Sequence, residues 1–481
     1  MSDEPDIAAD RDLIAMFLRR QWEEVCARYL PLIDDNSIWR YNRAGCESDL
    51  DQGWKLHVSA NILNATEVLR RIAPRLGEYG VQFKAPRSLN DVLRLNGGLL
   101  GAYSQVGKII TVYPRHDDEA VQLARILHQL TYRFRAPLVP FDLRLSETSN
   151  VYYRYGAFKK KELEHEGALL PAVVSASGEL VPDARENPKP DWVSDPFVNI
   201  RRANQPGKLK EKKESSFLVV RALVQRGKGG VYQAIDVQSQ PPRFCLLKEG
   251  RRHGELNWDG RDGAWRVRHE ELVLSALSGC GMRVPQVYSR FEVAGNVYLA
   301  LEFIEGDSLY TRLVRRQRRL SIESILHFGI QIAEFLDGMH GAGWAWRDCK
   351  PSNLLVTAKG RLVPIDFEGA EHIDRPDPVP WGTPGFVPTS RCQKGQRGLT
   401  DDLFALGAIL FFLITGRMFD EAQPISIERL RRHVPLELRQ LVESLLDIDP
   451  GQRPSAQNAH DELKIILRQR HPSQRLEARA A

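Results

Sequence analysis

The sequence predicts an α+β molecule of two domains, the second divided into two lobes around a phosphoryl-transfer loop. Three observations predict it. At 481 residues the chain exceeds one ordinary domain. Its first part alternates segments of helical and strand-like apolar spacing. Its second part carries Trp346-Arg347-Asp348-Cys349-Lys350-Pro351-Ser352-Asn353, followed by Ile365-Asp366-Phe367-Glu368. Those offsets place two carboxylates, a lysine and an amide where phosphoryl transfer needs them.

In the first part, apolar residues recur with helical spacing over 63–76 and 118–131, and strands are expected at 54–60, 81–84, 108–113 and 151–155. From 159 to 215 lysine runs and prolines replace that pattern, which reads as a polar linker. The expected layout is therefore a domain at 1–158, a linker at 159–215, a second domain at 216–470 and a basic tail at 471–481.

Composition narrows the setting. Hydrophobic residues make up 42% and charged residues 27%, ordinary for a globular chain, and the net charge of +5 suits anionic ligands without requiring nucleic acid. The six cysteines form no CxxC or Cys/His set, which favours reduced thiols over a zinc site. The N-terminus lacks the order of a signal peptide. The longest apolar run, 403–414, is shorter than the ~20 residues of a membrane span and reads as a buried helix. A cytoplasmic location with no membrane partner is expected.

The second domain reads as protein-kinase-like. Asp348 is placed to accept a hydroxyl proton and Lys350 to steady the migrating phosphoryl group. Asn353 and Asp366 are placed to hold Mg²⁺. Strands 217–223 and 231–235 flank Arg226-Gly227-Lys228-Gly229-Gly230, a turn in which Gly229 and Gly230 would approach nucleotide phosphates. Only Gly229 fits the usual glycine spacing; Val224 and Arg226 stand at the other two positions. Lys248 occupies the phosphate-gripping position of the third strand, with Glu270 as its expected helical partner and Glu271 one residue away. Tyr298-Leu299-Ala300-Leu301-Glu302-Phe303-Ile304 reads as the hinge for adenine, with Glu302 and Ile304 as contacts. Asp402 and Arg453 match scaffold positions. Trp346 replaces a histidine, Glu368 a glycine, and Thr389 a glutamate that would pair with Arg453. None of these removes a reacting group. Between Glu368 and Pro388 only Thr383 carries a hydroxyl, so activation by phosphorylation is not expected.

In the first domain, Lys55 and His57 share one face of a strand while Trp54, Leu56 and Val58 take the other. Phe83-Lys84, Gly107-Lys108, Asp142-Leu143-Arg144 and Tyr152-Tyr153-Arg154-Tyr155 set further cations in apolar strand-like segments, where burial is costly without an anion.

Trp54-Lys55-Leu56-His57-Val58-Ser59-Ala60, Gly107-Lys108-Ile109-Ile110-Thr111-Val112-Tyr113-Pro114 and Tyr153-Arg154-Tyr155-Gly156-Ala157-Phe158 resemble the lyase domain of class III and class IV lanthipeptide synthetases, itself related to phosphothreonine lyases. Gly229-Gly230-Val231-Tyr232, Lys248-Glu249-Gly250-Arg251-Arg252-His253 and Ile365-Asp366-Phe367-Glu368 resemble the kinase domain of the same enzymes, where an Asp-Phe-Glu variant occurs. The resemblance implies a phosphothreonine-lyase-like α+β domain ahead of a bilobal protein-kinase-like domain. It further implies a dehydratase that phosphorylates Ser or Thr of a ribosomally made precursor peptide with ATP or another nucleoside triphosphate and Mg²⁺, then eliminates the phosphate. By that resemblance Lys84 is the base, His57 the acid, and Lys55, Lys108, Arg144 and Arg154 the phosphate ligands. The chain ends at Ala481, soon after Arg453, so no cyclase domain is expected, and ring closure would fall to a separate protein or not occur. Two rival readings are a Ser/Thr kinase with an N-terminal binding or sensor domain, and a pseudoenzyme scaffold.

Overall fold

The chain is described from a computed structural model covering residues 7–100, 103–165, 167–203, 216–315, 319–377, 381–389 and 397–470. The lysine run 208–213 and the expected tail 471–481 lie outside the described residues. The chain divides into two compact units. One comprises residues 1–243, 247–265 and 290–298; the other comprises 244–246, 266–289 and 299–481.

The first unit runs α1 (Ile7–Tyr29), β1 (Leu32–Ile33), β2 (Trp39–Tyr41), β3 (Gln52–Val58), α2 (Ala65–Tyr79), β4 (Gln82–Pro86), α3 (Leu89–Asn96), β5 (Ile110–Tyr113), α4 (Asp117–Thr131), β6 (Leu143–Arg144) and β7 (Val151–Ala157). The seven strands form one sheet in the order β1-β2-β4-β5-β3-β7-β6. Its neighbouring strands are antiparallel. Period-two alternation decides what each face does. Trp54, Leu56 and Val58 join Val68, Leu69 and Ile72 of α2 and Leu123 and Leu127 of α4 in the core. Lys55 and His57 are turned to the opposite face. α4 starts at His116, whose ring accepts from the Glu119 N–H, with Asp117, Asp118 and Glu119 in the first turn facing the positive end of the helix dipole.

Residues 159–203, read from composition as a linker, are part of this folded unit. β8 (Glu162–His165), β9 (Ala168–Val174) and β10 (Leu180–Pro182) form a three-stranded sheet, and α5 (Val198–Ala203) follows. The Gln52 amide pairs with Val174 as a strand backbone would, donating to its carbonyl at 2.8 Å and accepting from its N–H at 2.6 Å. Phe197 is fully buried, its ring 4.0 Å from that of Tyr153 and 5.6 Å from that of Trp54. Composition misled here because lysines and the charged strand β8 surround the short apolar strands β9 and β10, and a few apolar residues do the anchoring.

Beyond residue 216 the chain forms β11 (Phe217–Arg226), β12 (Gly229–Asp236), β13 (Arg243–Gly250), α6 (Gly263–Gly279), β14 (Val287–Val293) and β15 (Asn296–Glu302). The sheet order is β11-β12-β13-β15-β14. Most of these strands belong to the first unit. The Gly227 N–H donates to the Gly97 carbonyl at 3.2 Å, and Arg226 reaches the Gly98 carbonyl at 3.3 Å. The second unit is largely helical: Ile322–Gly341, Arg397–Thr415, Leu436–Leu445 and Ala456–Arg470 pack together. The apolar stretch Gly398–Thr415 is long enough to cross a membrane, but 83% of it is buried inside the fold, as a core helix would be.

If 159–203 belongs to the fold, truncating Phe197 must destabilise the first unit. Phe197→Ala is expected to lower its unfolding free energy by about 3–5 kcal/mol, read from urea unfolding followed by the fluorescence of Trp54. A linker phenylalanine would cost almost nothing.

Candidate functional site

The sheet face opposite the core helices opens on a cavity of about 300 Å³ in the first unit. Three strands supply four of its basic groups. Lys55 and His57 come from β3, Lys84 from β4 and Arg154 from β7, with Thr111 of β5 between them. Strand register accounts for the convergence: Lys55 lies opposite Arg154, while Thr111 lies opposite both His57 and Lys84. Lys108, just before β5, and Asp183 and Arg185, just after β10, complete the walls.

Asp142 organises this charge. Its carboxylate is fully buried and bridges two cavity residues, accepting from Lys108 Nζ at 2.7 Å and lying 2.6 Å from His57 Nδ1. Burial works to raise the Asp142 pKa, but His57 and Lys108 pull it down to about 2. The aspartate is therefore ionised and can only accept, so Nδ1 carries a proton and Nε2 is the ring nitrogen left for a ligand. Burial takes the His57 pKa down to about 4 against the attraction of Asp142, with Lys108 and Lys55 adding repulsion.

The lysines are shifted by the same physics. Burial, with Arg154 next, lowers Lys55 to about 7 although Asp183 opposes it. Burial, with Arg185 next, lowers Lys84 to about 8, and the face of Trp39 4.2 Å away holds its ammonium. Burial also lowers Lys108, against Asp142. Arg154 donates to Asp183 at 2.6 Å, while its Nε is buried with no hydrogen-bond partner among the described residues. A doubly charged anion would relieve both the crowded cations and this donor.

Sequence reading named Lys55, His57, Lys84, Lys108 and Arg154, and all five line this cavity. Arg144, expected as a phosphate ligand, is not among the lining residues. It lies on β6, where its Nε donates to the Ser149 carbonyl at 2.7 Å and its guanidinium sits over the Tyr152 ring. Asp142, Asp183, Arg185 and Trp39 were not singled out. Asp142 had only Arg144 two residues on as a local signal, and Asp183 and Arg185 stood in the supposed linker.

In the second unit the phosphoryl-transfer loop closes around Asp348. Lys350 Nζ donates to Asp348 Oδ2 at 2.7 Å and to Thr383 Oγ1 at 2.8 Å, and the Thr383 hydroxyl donates to Asp348 Oδ1 at 2.8 Å. Burial raises the Asp348 pKa, with Lys350 opposing. Asn353 spends its amide N–H₂ on Asp348, at 3.0 Å to the carbonyl and 3.1 Å to Oδ2. Its Oδ1 is thereby turned out as an oxygen donor, of the kind a divalent cation takes alongside a carboxylate such as Asp366.

Asp402 holds the loop by accepting from the N–H groups of Trp346 and Arg347, each at 2.7 Å. Arg347 and Asp366 are held in left-handed backbone, at φ 66° and 69°. Trp346 is fully buried and donates its indole N–H to the Asp366 carbonyl at 3.0 Å, filling the place of the missing histidine. Glu368 meets Arg266 at 3.9 Å. Arg453 bonds the carbonyls of Asp447 and Thr400, both at 2.9 Å, in the region where a glutamate at 389 would have met it.

Glu270 is buried and accepts from the Phe367 N–H at 3.1 Å, next to Asp366. Lys248 lies half-buried on β13. The Glu302 carboxylate is committed to Arg283 and its N–H to the Gln286 carbonyl at 2.8 Å, and Ile304 is half-buried. The glycines of the β11–β12 turn answer to packing as well. A Cβ at Gly227 would lie 1.6 Å from the Asn96 carbonyl oxygen, and one at Gly229 1.6 Å from that of Glu249.

Fold and site together define a protein kinase domain preceded by an α+β domain with a cationic cavity. Residues 226–463 match the protein kinase domain family, and residues 32–208 match the family described as RamC, N-terminal domain. The chain thus joins a RamC N-terminal domain to a protein kinase domain. It is 30% identical over 416 residues to a protein of Streptomyces coelicolor named "Probable SapB synthase", covering 83% of this chain and 42% of that one. It is also 28% identical to serine/threonine-protein kinase F of Synechocystis, over 42% of this chain and 44% of that protein. With the serine/threonine-protein kinase AfsK of S. coelicolor the identity is 31%, over 50% and 30% respectively. The chain spans less than half the length of these curated relatives.

Removing the charge of Asp142 strands the buried Lys108 ammonium and takes from His57 Nδ1 its charged acceptor. Asp142→Asn is expected to cost about 3–5 kcal/mol at pH 7. The folded pKa of Asp142 lies below the ordinary value of about 3.9, so its stabilisation is present above that value and is lost as pH falls toward about 2. The gap between parent and variant in denaturant midpoint should therefore narrow across that window.

Proposed function

We propose that the chain is a bifunctional peptide dehydratase acting on Ser and Thr of a ribosomally made precursor peptide. The kinase domain transfers a phosphoryl group from a nucleoside triphosphate to the side-chain hydroxyl. Asp348 accepts the hydroxyl proton and Lys350 neutralises the phosphoryl oxygens. Asn353 and Asp366 would hold Mg²⁺, which when bound neutralises charge on the triphosphate. Gly229, Gly230, Lys248 and Glu270 would serve the phosphates, and Glu302 and Ile304 the base.

The observation that carries the second half of the proposal is the shared cavity of Lys84, His57, Lys55, Lys108 and Arg154. The phosphorylated residue enters it with its dianion among the cations. Neutral Lys84 takes the α-proton, and the electrons of that C–H bond form the Cα–Cβ double bond. The Cβ–O bond breaks, and the departing phosphate takes a proton from His57. Serine gives dehydroalanine and threonine dehydrobutyrine.

A pKa of about 8 suits Lys84 to this role, since a useful fraction is neutral near pH 7. His57, at about 4, is neutral in the empty cavity; the arriving dianion supplies the charge that raises its pKa and lets Nε2 carry a proton. Lys55, Lys108 and Arg154 stabilise the leaving phosphate.

With a Ser/Thr-containing precursor peptide and nucleoside triphosphate, mass spectrometry separates the steps. Asp348→Ala is expected to leave the peptide unmodified, whereas His57→Ala or Lys84→Ala should accumulate phosphopeptide. Dehydrated product from either lyase variant at the parent rate would overturn the assignment. Because Lys84 must be deprotonated and His57 Nε2 protonated in the same encounter, elimination from purified phosphopeptide should pass through a pH optimum, one group setting each limb. A flat profile would remove Lys84 as the base.

A further inference from the structure

A second, smaller cavity of about 180 Å³ adjoins the cationic one and shares Tyr113, Phe158 and Lys159 with it. Strand register fixes the offset between them. Three neighbouring strands each place one residue in the first cavity and the residue two positions along in the second. These are Trp39 and then Tyr41 on β2, Lys84 and then Gln82 on β4, and Thr111 and then Tyr113 on β5. Lys84 lies opposite Thr111 and Gln82 opposite Tyr113, so β4 and β5 step in register; the β2 step runs the same way but is displaced by one pair, Tyr41 lying opposite Lys84. Residues two apart on a strand face the same way at a separation of ~7 Å.

The charges in the walls of the second cavity are matched by partners. Asp49 is paired with Arg43 at 2.5 Å and Arg115 with Glu119, while Lys159 reaches Asp51 at 3.1 Å. What remains is apolar surface from Tyr41, Leu50, Tyr113, Pro114 and Phe158, with the rings of Tyr113 and Phe158 edge to face at 5.1 Å. This distinguishes it from its neighbour, whose cations outnumber their acidic partners.

We propose that the second cavity is a specificity subsite for an apolar side chain of the substrate peptide, two residues from the phosphorylated Ser or Thr. The offset equals the i to i+2 repeat of an extended peptide, so a chain lying along the strands puts alternate side chains into the two cavities. The occupant is of leucine or phenylalanine type, because a charged or phosphorylated side chain would be buried among apolar groups and already neutralised pairs. The inference rests on the elimination reaction proposed above.

The test uses the full chain and synthetic phosphoserine peptides that differ only two positions before or after the phosphoserine, with leucine, glycine or glutamate there. Elimination is followed by mass. Leucine on one of the two sides should raise kcat/KM about 10-fold to 100-fold over glycine, and Leu50→Glu should shrink that ratio toward one. Equal rates across the series would overturn the subsite, and so would a preference for glutamate, which would make the cavity a second anion site. Absence of elimination from every peptide would instead remove the lyase reading, and the subsite with it.

Discussion

The cationic cavity depends on the bridge from Asp142 to His57 and Lys108. Five basic groups cannot be packed against one sheet face unless part of their charge is balanced, and Asp142 supplies that balance from a fully buried position. It does so selectively. Lys108 and His57 are tied to it, whereas Lys55 and Lys84 are left to burial and to their cationic neighbours, with Asp183 and Asp34 as weaker counterweights. The same carboxylate offsets the charge of Lys108 but not that of Lys55 or Lys84. It also sets which nitrogen of His57 faces a ligand.

The kinase loop also hangs on a buried carboxylate. Asp402 accepts from two backbone N–H groups and lies 3.1 Å from His340 Nε2, while Arg347 pairs with Glu371 at 3.1 Å, so hydrogen bonds and ion pairs together hold the strained turn before Asp348. Trp346 then packs against Phe367 and reaches the Asp366 carbonyl. A tryptophan that looked like a lost catalytic-loop histidine joins the two segments that carry Asp348 and Asp366. Thr383 is likewise engaged by both Asp348 and Lys350, which gives the one hydroxyl of that segment a structural partner.

Legibility in the sequence followed the range of the interaction concerned. The alternation of Trp54, Lys55, Leu56, His57 and Val58 encodes its own strand and both of its faces, and the helical spacing at 63–76 and 118–131 is equally local. Cations in apolar strands could be read as pocket residues because burying them has a cost that any reader can assess. Asp142 and Asp183 could not, since an aspartate in a turn looks the same whether it faces water or a lysine 34 residues away in the chain. The stretch 159–203 was misread because lysines and the charged edge strand β8 surround a short apolar strand, β9, while its anchoring rests on Phe197 and on the side chain of Gln52. Arg144 failed for the complementary reason: an arginine in a strand found a carbonyl and a ring of its own.

The contact of Gly227 with the end of α3 bears on how this chain can be divided. Where sequence suggests a cut, near residue 216, the fold has none, because β11 and β12 are bonded to the segment 96–98. The guanidinium of Arg251 also lies over Tyr103, 4.4 Å from the ring centre. A fragment beginning at 216 would bare the Gly227 amide, the Arg226 guanidinium and one face of Arg251 together. The glycine turn between β11 and β12 would then lose the surface against which its backbone is set.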